Sequence, residues 1–215
     1  MSEAHTPVPA LEARFRSFGV AVIEYALCAD DLARMDAIFP TLSPKMAGAR
    51  ASDFTPAALA WLAGHAVLSD LAHRLAGPIA PAMRLSRVLA FDTSPETNWF
   101  VPWHQDRAEG GRYRACTDLE QTVALRIHLD DCSKDNGPLE VLPGSHVCGR
   151  LNSASIAGLI ETTPPLLCLA ARGDIVAMRP LLVHRSQRAR IPTVHRRVLH
   201  LEYGPRASEP AGWAM

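Results

Sequence analysis

The run TVALRIHLDDCSKDNGPLEVLPGSH, residues 122–146, holds two short apolar segments, Thr122 to Leu129 and Leu139 to Leu142, parted by Asp, Ser, Asn and Gly-Pro. Runs of about four to eight residues bounded by such turn formers are strand-length and too short for stable helices. The same texture extends both ways. Upstream lie Leu85 to Phe91 and Phe100 to Asp106; downstream lie Leu166 to Leu169, Asp174 to Met178, Leu181 to His184 and Arg197 to Tyr203. Many short strands closed by turns predict a β-sandwich or jelly roll, here a cupin-like double-stranded β-helix core.

Before Met83 the pattern is different. Gly19 to Leu27 is rich in β-branched residues and predicts a strand, after which Asp30 is expected to cap a helix running towards Phe39 and ended by Pro40. Thr55-Pro56 starts a second helical stretch that reaches Leu75, broken near Gly64 and stopped by Gly77-Pro78. A further short helix is expected around Ser155 to Ile160. The fold class is therefore mainly β with flanking α, the N-terminal helices packed on the barrel. The expected organisation is an N-terminal arm over 1–10, one domain over 11–204 and a tail over 205–215, because neither end shows periodicity.

Composition narrows the function classes. The 215 residues are 48% hydrophobic and 20% charged, an ordinary globular balance. Lys+Arg and Asp+Glu both total 22, so no global field attracts nucleic acid or anionic lipid. No apolar run approaches the ~20 residues of a membrane span, and Met1 to Ala10 lacks a basic-then-apolar leader pattern, so a cytoplasmic location is expected. The cysteines at 28, 116, 132, 148 and 168 are odd in number and form no CxxC or C-x-H cluster, which fits reduced thiols in buried apolar positions.

Chemistry enters at Trp103-His104-Gln105-Asp106. Side chains two apart at a strand end share a face, so His104 and Asp106 can converge on one metal ion. Alone, an HxD is a common surface pair. His184, closing the apolar run Leu181-Leu182-Val183, supplies a third candidate ligand. Two imidazoles and one carboxylate occupy one face of an octahedron and leave three positions free, which suits iron(II) better than zinc. Beyond His184 come Arg196 and Arg197, and a planar guanidinium can grip the distal carboxylate of a dicarboxylate in bidentate fashion. Adjacent strand residues face opposite sides, so only one of the two enters the barrel.

The segments PWHQD (102–106), DDCSKDNGPLEVLPGSH (130–146), MRPLLVHRSQ (178–187) and RRVLHLEYG (196–204) together resemble the phytanoyl-CoA dioxygenase-like family. The resemblance extends in outline from Gly19 to Tyr203. It implies a double-stranded β-helix and an oxygenase using iron(II), 2-oxoglutarate and O2. It places the iron ligands at His104, Asp106 and His184 and favours Arg196 as the 2-oxoglutarate anchor, with Arg197 as the alternative. Ser186 matches a hydroxyl beside the same carboxylate, Arg126 falls at a position lining the cosubstrate pocket, and Gln105, within the iron-binding tripeptide, is expected among the cosubstrate-binding residues. The interval from His184 to Arg196 is about a residue longer than in similar sequences, and Thr93 stands where bacterial ones often carry lysine. Because related halogenases lack the carboxylate, Asp106 favours hydroxylation of an unactivated C–H bond in a small-molecule metabolite, with release of succinate and CO2.

Other residues carry weaker signals. His146 follows a Pro-Gly turn and reads as structural; His128 and His200 alternate with apolar residues and either line the pocket or sit satisfied in the core. The stretch from Arg107 to Glu120, with Gly110-Gly111 and three arginines, is either a lid or a solvated connection. Trp99 and Trp103 are either an apolar wall near the metal or packing residues. Two other classes use the same barrel: a non-oxidative metal cupin, isomerase or hydrolase, which has no need of the arginine anchor, and a non-catalytic ligand-binding barrel, which has no need of the HxD…H set.

Overall fold

The computed structural model describes residues 11–41, 49–50, 53–77, 83–94, 97–106, 116–190 and 195–205. The expected arm, most of the expected tail and residues 107–115 of the segment read as a lid or a solvated connection lie outside them. In chain order the elements are α1 (Leu11–Phe18), β1 (Val20–Ile23), α2 (Ala29–Ile38), β2 (Ala49–Arg50), α3 (Pro56–Ala63), α4 (Ala66–Ala76), β3 (Met83–Thr93), β4 (Val101–His104), α5 (Cys116–Gln121), β5 (Val123–His128), β6 (Leu139–Val141), α6 (Ser153–Thr162), β7 (Leu166–Cys168), β8 (Ile175–Met178), β9 (His184–Ser186) and β10 (Arg196–Pro205).

The strands form two antiparallel sheets, one ordered β1-β8-β5-β10-β3-β2 and the other β4-β9-β6-β7. They face each other as a double-stranded β-helix. Alternation along the strands separates two apolar layers. Leu125, Ile127, Ile175, Ala177, Leu199 and Leu201 turn outward onto Phe15, Met35, Leu62, Leu68 and Leu75 of the helices. Ala124, Val176 and Met178 turn inward, where Leu139, Val141, Cys168 and Leu182 complete the lining. The second set lines a chamber that polar residues of β5 and β10, among them Arg126, Arg196 and His200, also enter.

Local signals explain most element ends. The Thr55 hydroxyl accepts from Ala58 N at 3.2 Å, capping α3 as expected, and Gly64 ends it. Asn152 caps α6 by accepting from Ser155 N at 2.9 Å. In the NGPL turn Gly137 has φ +71°, and a Cβ there would lie 2.5 Å from the Gln187 carbonyl oxygen, so only glycine fits.

Two local expectations are corrected, and one helix was not foreseen. The N-cap of α2 is Cys28, which makes no side-chain cap bond, and Asp30 sits in the first turn, where its charge still complements the helix dipole. Leu11–Phe18 is helical although no strong start signal precedes it. The apolar run Leu181-Leu182-Val183 is a buried turn, with Leu182 N bonded to Arg179 O and Val183 N to the Ser145 hydroxyl; the strand begins at His184 rather than ending there. Period alone does not separate a buried turn from a buried strand.

Candidate metal centre and cosubstrate pocket

His104 and His184 end or begin neighbouring antiparallel strands and are direct register partners across the β4–β9 pair. Their ring centroids lie 4.2 Å apart. Each ring is oriented through its own backbone: His104 Nδ1 donates to Pro102 O at 2.8 Å, and His184 Nδ1 to Leu182 O at 2.9 Å. Those bonds place the proton on Nδ1 and turn both Nε2 lone pairs to the same space, the arrangement a metal-binding imidazole needs.

Asp106 follows β4 and is held by its backbone N–H, which bonds Pro180 O at 2.9 Å. Its Oδ1 lies 3.8 Å from His184 Nε2, while its buried Oδ2 has no hydrogen-bond partner. One donor atom from each of His104, Asp106 and His184 falls within 4.8 Å of the others. His184 is 5% exposed, and burial is the main reason its pKa is pushed down to about 4, with Asp106 opposing and His104 adding to the shift. The imidazole is therefore neutral and free to donate its lone pair at neutral pH.

A second group, Asp106 with His200 and Glu202, is equally close. It is the poorer ligand set. A guanidinium only donates, so His200 Nδ1 accepts from Arg126 Nη1 at 3.2 Å and its Nε2–H points to Glu202 Oε1 at 3.3 Å. Glu202 in turn pairs with Arg87 at 3.0 Å. This chain of four side chains links β3, β5 and β10 along the inner wall. Sequence reading named neither Glu202 nor Arg87; the β-alternation from His200 to Glu202 was the available signal.

Two arginines enter the chamber. Arg196 is 6% exposed, donates from Nη2 to the Thr93 hydroxyl at 2.8 Å and leaves Nε buried without a partner. Arg126 projects from β5, with its guanidinium 5.4 Å above the Phe91 ring; burial first, then the nearby Arg196 charge, lowers its pKa to about 10. Among the described residues no carboxylate forms an ion pair with either guanidinium, in contrast to Arg87, Arg185 and Arg197. Asp106 acts on Arg126 and Asp92 on Arg196 only through space, so two positive charges without a carboxylate in contact leave room for an anion. Ser186 lies two residues beyond His184 on β9 and so shares its face.

Gln105 is placed elsewhere than the family resemblance implied. It is 5% exposed, its Nε2 donates to Gly149 O and Leu181 O at 2.8 and 2.6 Å, and its Oε1 accepts from Leu151 N at 2.8 Å. Both amide protons are spent, so Gln105 is a clamp between backbone segments and contributes no cosubstrate contact. Alternation is the reason: it lies between His104 and Asp106 and faces the other way. Trp103 likewise turns outward, beneath the Arg185 guanidinium at 4.6 Å, and Trp99 is 41% exposed. His146 packs its ring against Gly19, with Nε2 donating to Arg16 O at 3.1 Å, which ties the PGSH turn to α1. His128 is buried on β5 beside the two arginines, its Nδ1 unpartnered.

A double-stranded β-helix with a His-Asp-His cluster inside one end defines the cupin-type class to which the iron(II)- and 2-oxoglutarate-dependent oxygenases belong. Within it, the chain belongs to the phytanoyl-CoA dioxygenase (PhyH) family, whose pattern matches residues 48–197. It is an Fe(II)/2-oxoglutarate-dependent oxygenase, with iron(II), 2-oxoglutarate and O2 as the cofactors of its family. Among solved structures it is similar to AviO1 from Streptomyces viridochromogenes Tue57, with 26% identity, TM-score 0.71, and coverage of 94% of this chain and 96% of that one. It also shares its fold with EctD from S. alaskensis, solved with 2-oxoglutarate and 5-hydroxyectoine, at 21% identity, TM-score 0.74 and coverage of 92% and 76%. A third similar fold is the carbocyclase SnoK from nogalamycin biosynthesis, at 19% identity, TM-score 0.71 and coverage of 91% and 83%. No curated protein matches the sequence. No helix among the described residues is long and apolar enough to cross a membrane.

Proposed function

We propose that this oxygenase hydroxylates an unactivated C–H bond of a small-molecule metabolite, with iron held by His104, Asp106 and His184 and 2-oxoglutarate held by Arg196. The observation that carries the reading is the pair of buried guanidiniums, Arg126 and Arg196, without carboxylate partners beside two imidazoles whose Nε2 lone pairs are already aligned. A dicarboxylate supplies the missing charges, and a divalent metal supplies partners for the imidazoles and for Asp106 Oδ2. The residues present therefore fit both groups.

In this reading each side chain has a distinct task. His104 and His184 donate neutral nitrogen lone pairs, and Asp106 adds one negative charge on the third side of the same face. Arg196 grips the distal carboxylate of 2-oxoglutarate, Ser186 lies on the same wall, and Arg126 neutralises the remaining charge from β5. Iron and 2-oxoglutarate, when bound, supply with O2 the oxidising chemistry that breaks the C–H bond and yields succinate and CO2. The apolar inner layer of Val141, Val176 and Leu182 keeps bulk water from that chemistry. Asp106 also supports hydroxylation in particular, since its carboxylate takes the position a halide would need. A non-oxidative cupin has no need of the arginine anchor, and a simple binding barrel has no need of the aligned His104, Asp106 and His184 set.

The neutral balance of charges supports a small-molecule partner rather than nucleic acid. Free Cys28, Cys132, Cys148 and Cys168 are consistent with action in the cytoplasm, and the two sheets with their helices with a single oxygenase domain over 11–204. Anaerobic titration with iron(II) and 2-oxoglutarate tests the cofactor reading: a visible metal-to-cosubstrate charge-transfer band is expected, and its absence overturns the proposal. A succinate-release screen of pooled metabolites then tests the reaction. Product carrying one added oxygen atom supports hydroxylation, and product lacking two hydrogens replaces it with desaturation.

A further inference from the structure

The anchoring arginine poses a physical problem of its own. Its guanidinium must be held still in the barrel without being neutralised, because a carboxylate partner from the protein would take the charge the cosubstrate needs. We propose that Cys132 and Thr93 are the positioning residues that solve this, two neutral acceptors that bracket the Arg196 guanidinium. The inference rests on the assignment of Arg196 as the 2-oxoglutarate anchor.

The bracket follows from topology. Strand β10 lies between β3 and β5. Thr93, the last residue of β3, is the register partner of Arg196, and its hydroxyl accepts from Nη2 at 2.8 Å. Cys132 comes from the other side, on the segment that leaves β5. Its backbone is fixed by two bonds to Ala170, N to O at 2.7 Å and O from N at 3.2 Å, an isolated antiparallel bridge outside the named strands. That bridge places its side chain, 2% exposed, in the inner layer with Ala170, Leu139 and Cys168. There burial places the thiol sulfur beside the Arg196 side chain, close enough for the guanidinium charge to act on it. Since a guanidinium has donors only, the sulfur can serve it only as an acceptor.

Both acceptors are uncharged. Burial keeps the Cys132 thiol protonated, raising its pKa although Arg196 and Arg126 pull it down. The Arg196 charge therefore remains available, and the buried Nε–H without a partner marks a donor left for an incoming carboxylate. Holding the side chain in place beforehand removes the ordering cost from the binding step. Thr93 and Cys132 thus act on cosubstrate affinity and not on the metal.

The test is 2-oxoglutarate binding to the manganese(II)-loaded protein, measured by calorimetry, with kcat and KM for 2-oxoglutarate measured on the iron-loaded enzyme. Cys132→Val, which keeps the volume and removes the acceptor, is expected to raise Kd and KM for 2-oxoglutarate about tenfold, while manganese affinity and kcat at saturation change less than twofold. Cys132→Ser is expected to restore wild-type affinity, because the hydroxyl again accepts from the guanidinium. Equal affinity in wild type and Cys132→Val overturns the proposal, and so does equal weakening in the Val and Ser variants, which marks packing as the cause. Should Cys132→Val not fold, Thr93→Val, which removes the opposite acceptor, carries the same expectation and the same refutation. Failure of the wild-type protein to bind 2-oxoglutarate overturns the cosubstrate assignment itself, an outcome separate from a variant that binds as wild type does.

Discussion

Arg196 and Arg197 are neighbours in sequence and face opposite sides of β10. Arg197 turns outward and makes a two-pronged contact with Asp130, at 2.8 Å from Nη2 and 2.9 Å from Nε, and lies 3.0 Å from Asp36 of α2. Arg196 turns inward to Thr93 and the chamber. The pleat makes this division, since consecutive side chains leave a strand on alternate faces. One guanidinium fastens a helix to the barrel, while the other, with no carboxylate in contact among the described residues, is the one proposed to hold 2-oxoglutarate.

Substitution of the two therefore separates binding from stability. Arg196→Gln is expected to weaken 2-oxoglutarate binding at least about tenfold, since a bidentate charge-assisted contact is lost. Arg197→Gln is expected to leave that affinity within about twofold and to lower the unfolding free energy by about 1 kcal/mol, a modest value because the pair is part-exposed. Calorimetry and urea denaturation measure the two effects. The reverse pattern would exchange the assignments.

His104→Ala removes one of the two aligned imidazoles. Oxygen-dependent succinate formation and tight iron(II) binding are expected to be lost, with the far-ultraviolet circular dichroism unchanged, because the half-buried His104 belongs to neither apolar layer. Wild-type turnover in this variant would show that His104 is no ligand.

Gln105 supplies a prediction about stability alone. Its three bonds join the segment after β4 to Leu181 and to the 149–151 segment that leads into α6. Gln105→Leu leaves buried backbone groups without partners and is expected to cost about 2–3 kcal/mol, read from urea denaturation. The Kd for 2-oxoglutarate of the folded fraction stays near wild type; a selective loss of that affinity would return Gln105 to the cosubstrate site.

Acid sensitivity should trace to the buried histidines. Burial, then the charges of Arg126 and Arg196, pushes the His128 pKa down to about 3, and His184 in the metal-free protein is pushed down to about 4. Unfolded histidine titrates near pH ~6.5, so below that pH the unfolded chain takes up protons that the folded chain refuses. Stability is complete above about pH 6.5 and falls as the pH drops towards 4. Across that window His128 accounts for roughly 3 kcal/mol. Urea midpoints of the metal-free protein against pH are expected to show the decline, and His128→Gln to flatten it. An unchanged slope in that variant assigns the acid sensitivity elsewhere.

Much of this protein was determined by sequence in a strict physical sense. Short apolar runs between Asn, Gly, Pro and Asp cannot make long helices, so most of the described apolar runs between 83 and 205 form strands, with α5 and α6 set between them, and Thr55-Pro56 and Gly64 set the ends of α3 through local bonds. The HxD was legible as part of a candidate ligand set because two-residue spacing is a local property, and His184 joined it through ligand chemistry and the family resemblance. Tertiary structure decided what depends on neighbours far along the chain. Whether Leu181 to Val183 forms a strand or a turn depended on Ser145 and Arg179, and the fate of Gln105 on the carbonyls of Gly149 and Leu181. Which arginine faces the chamber was set by the register of β10 against β3 and β5, a shift of one residue being enough to exchange them. The chain Arg87, Glu202, His200 and Arg126 came into view only there, because its members are drawn from three strands and meet by register rather than by spacing.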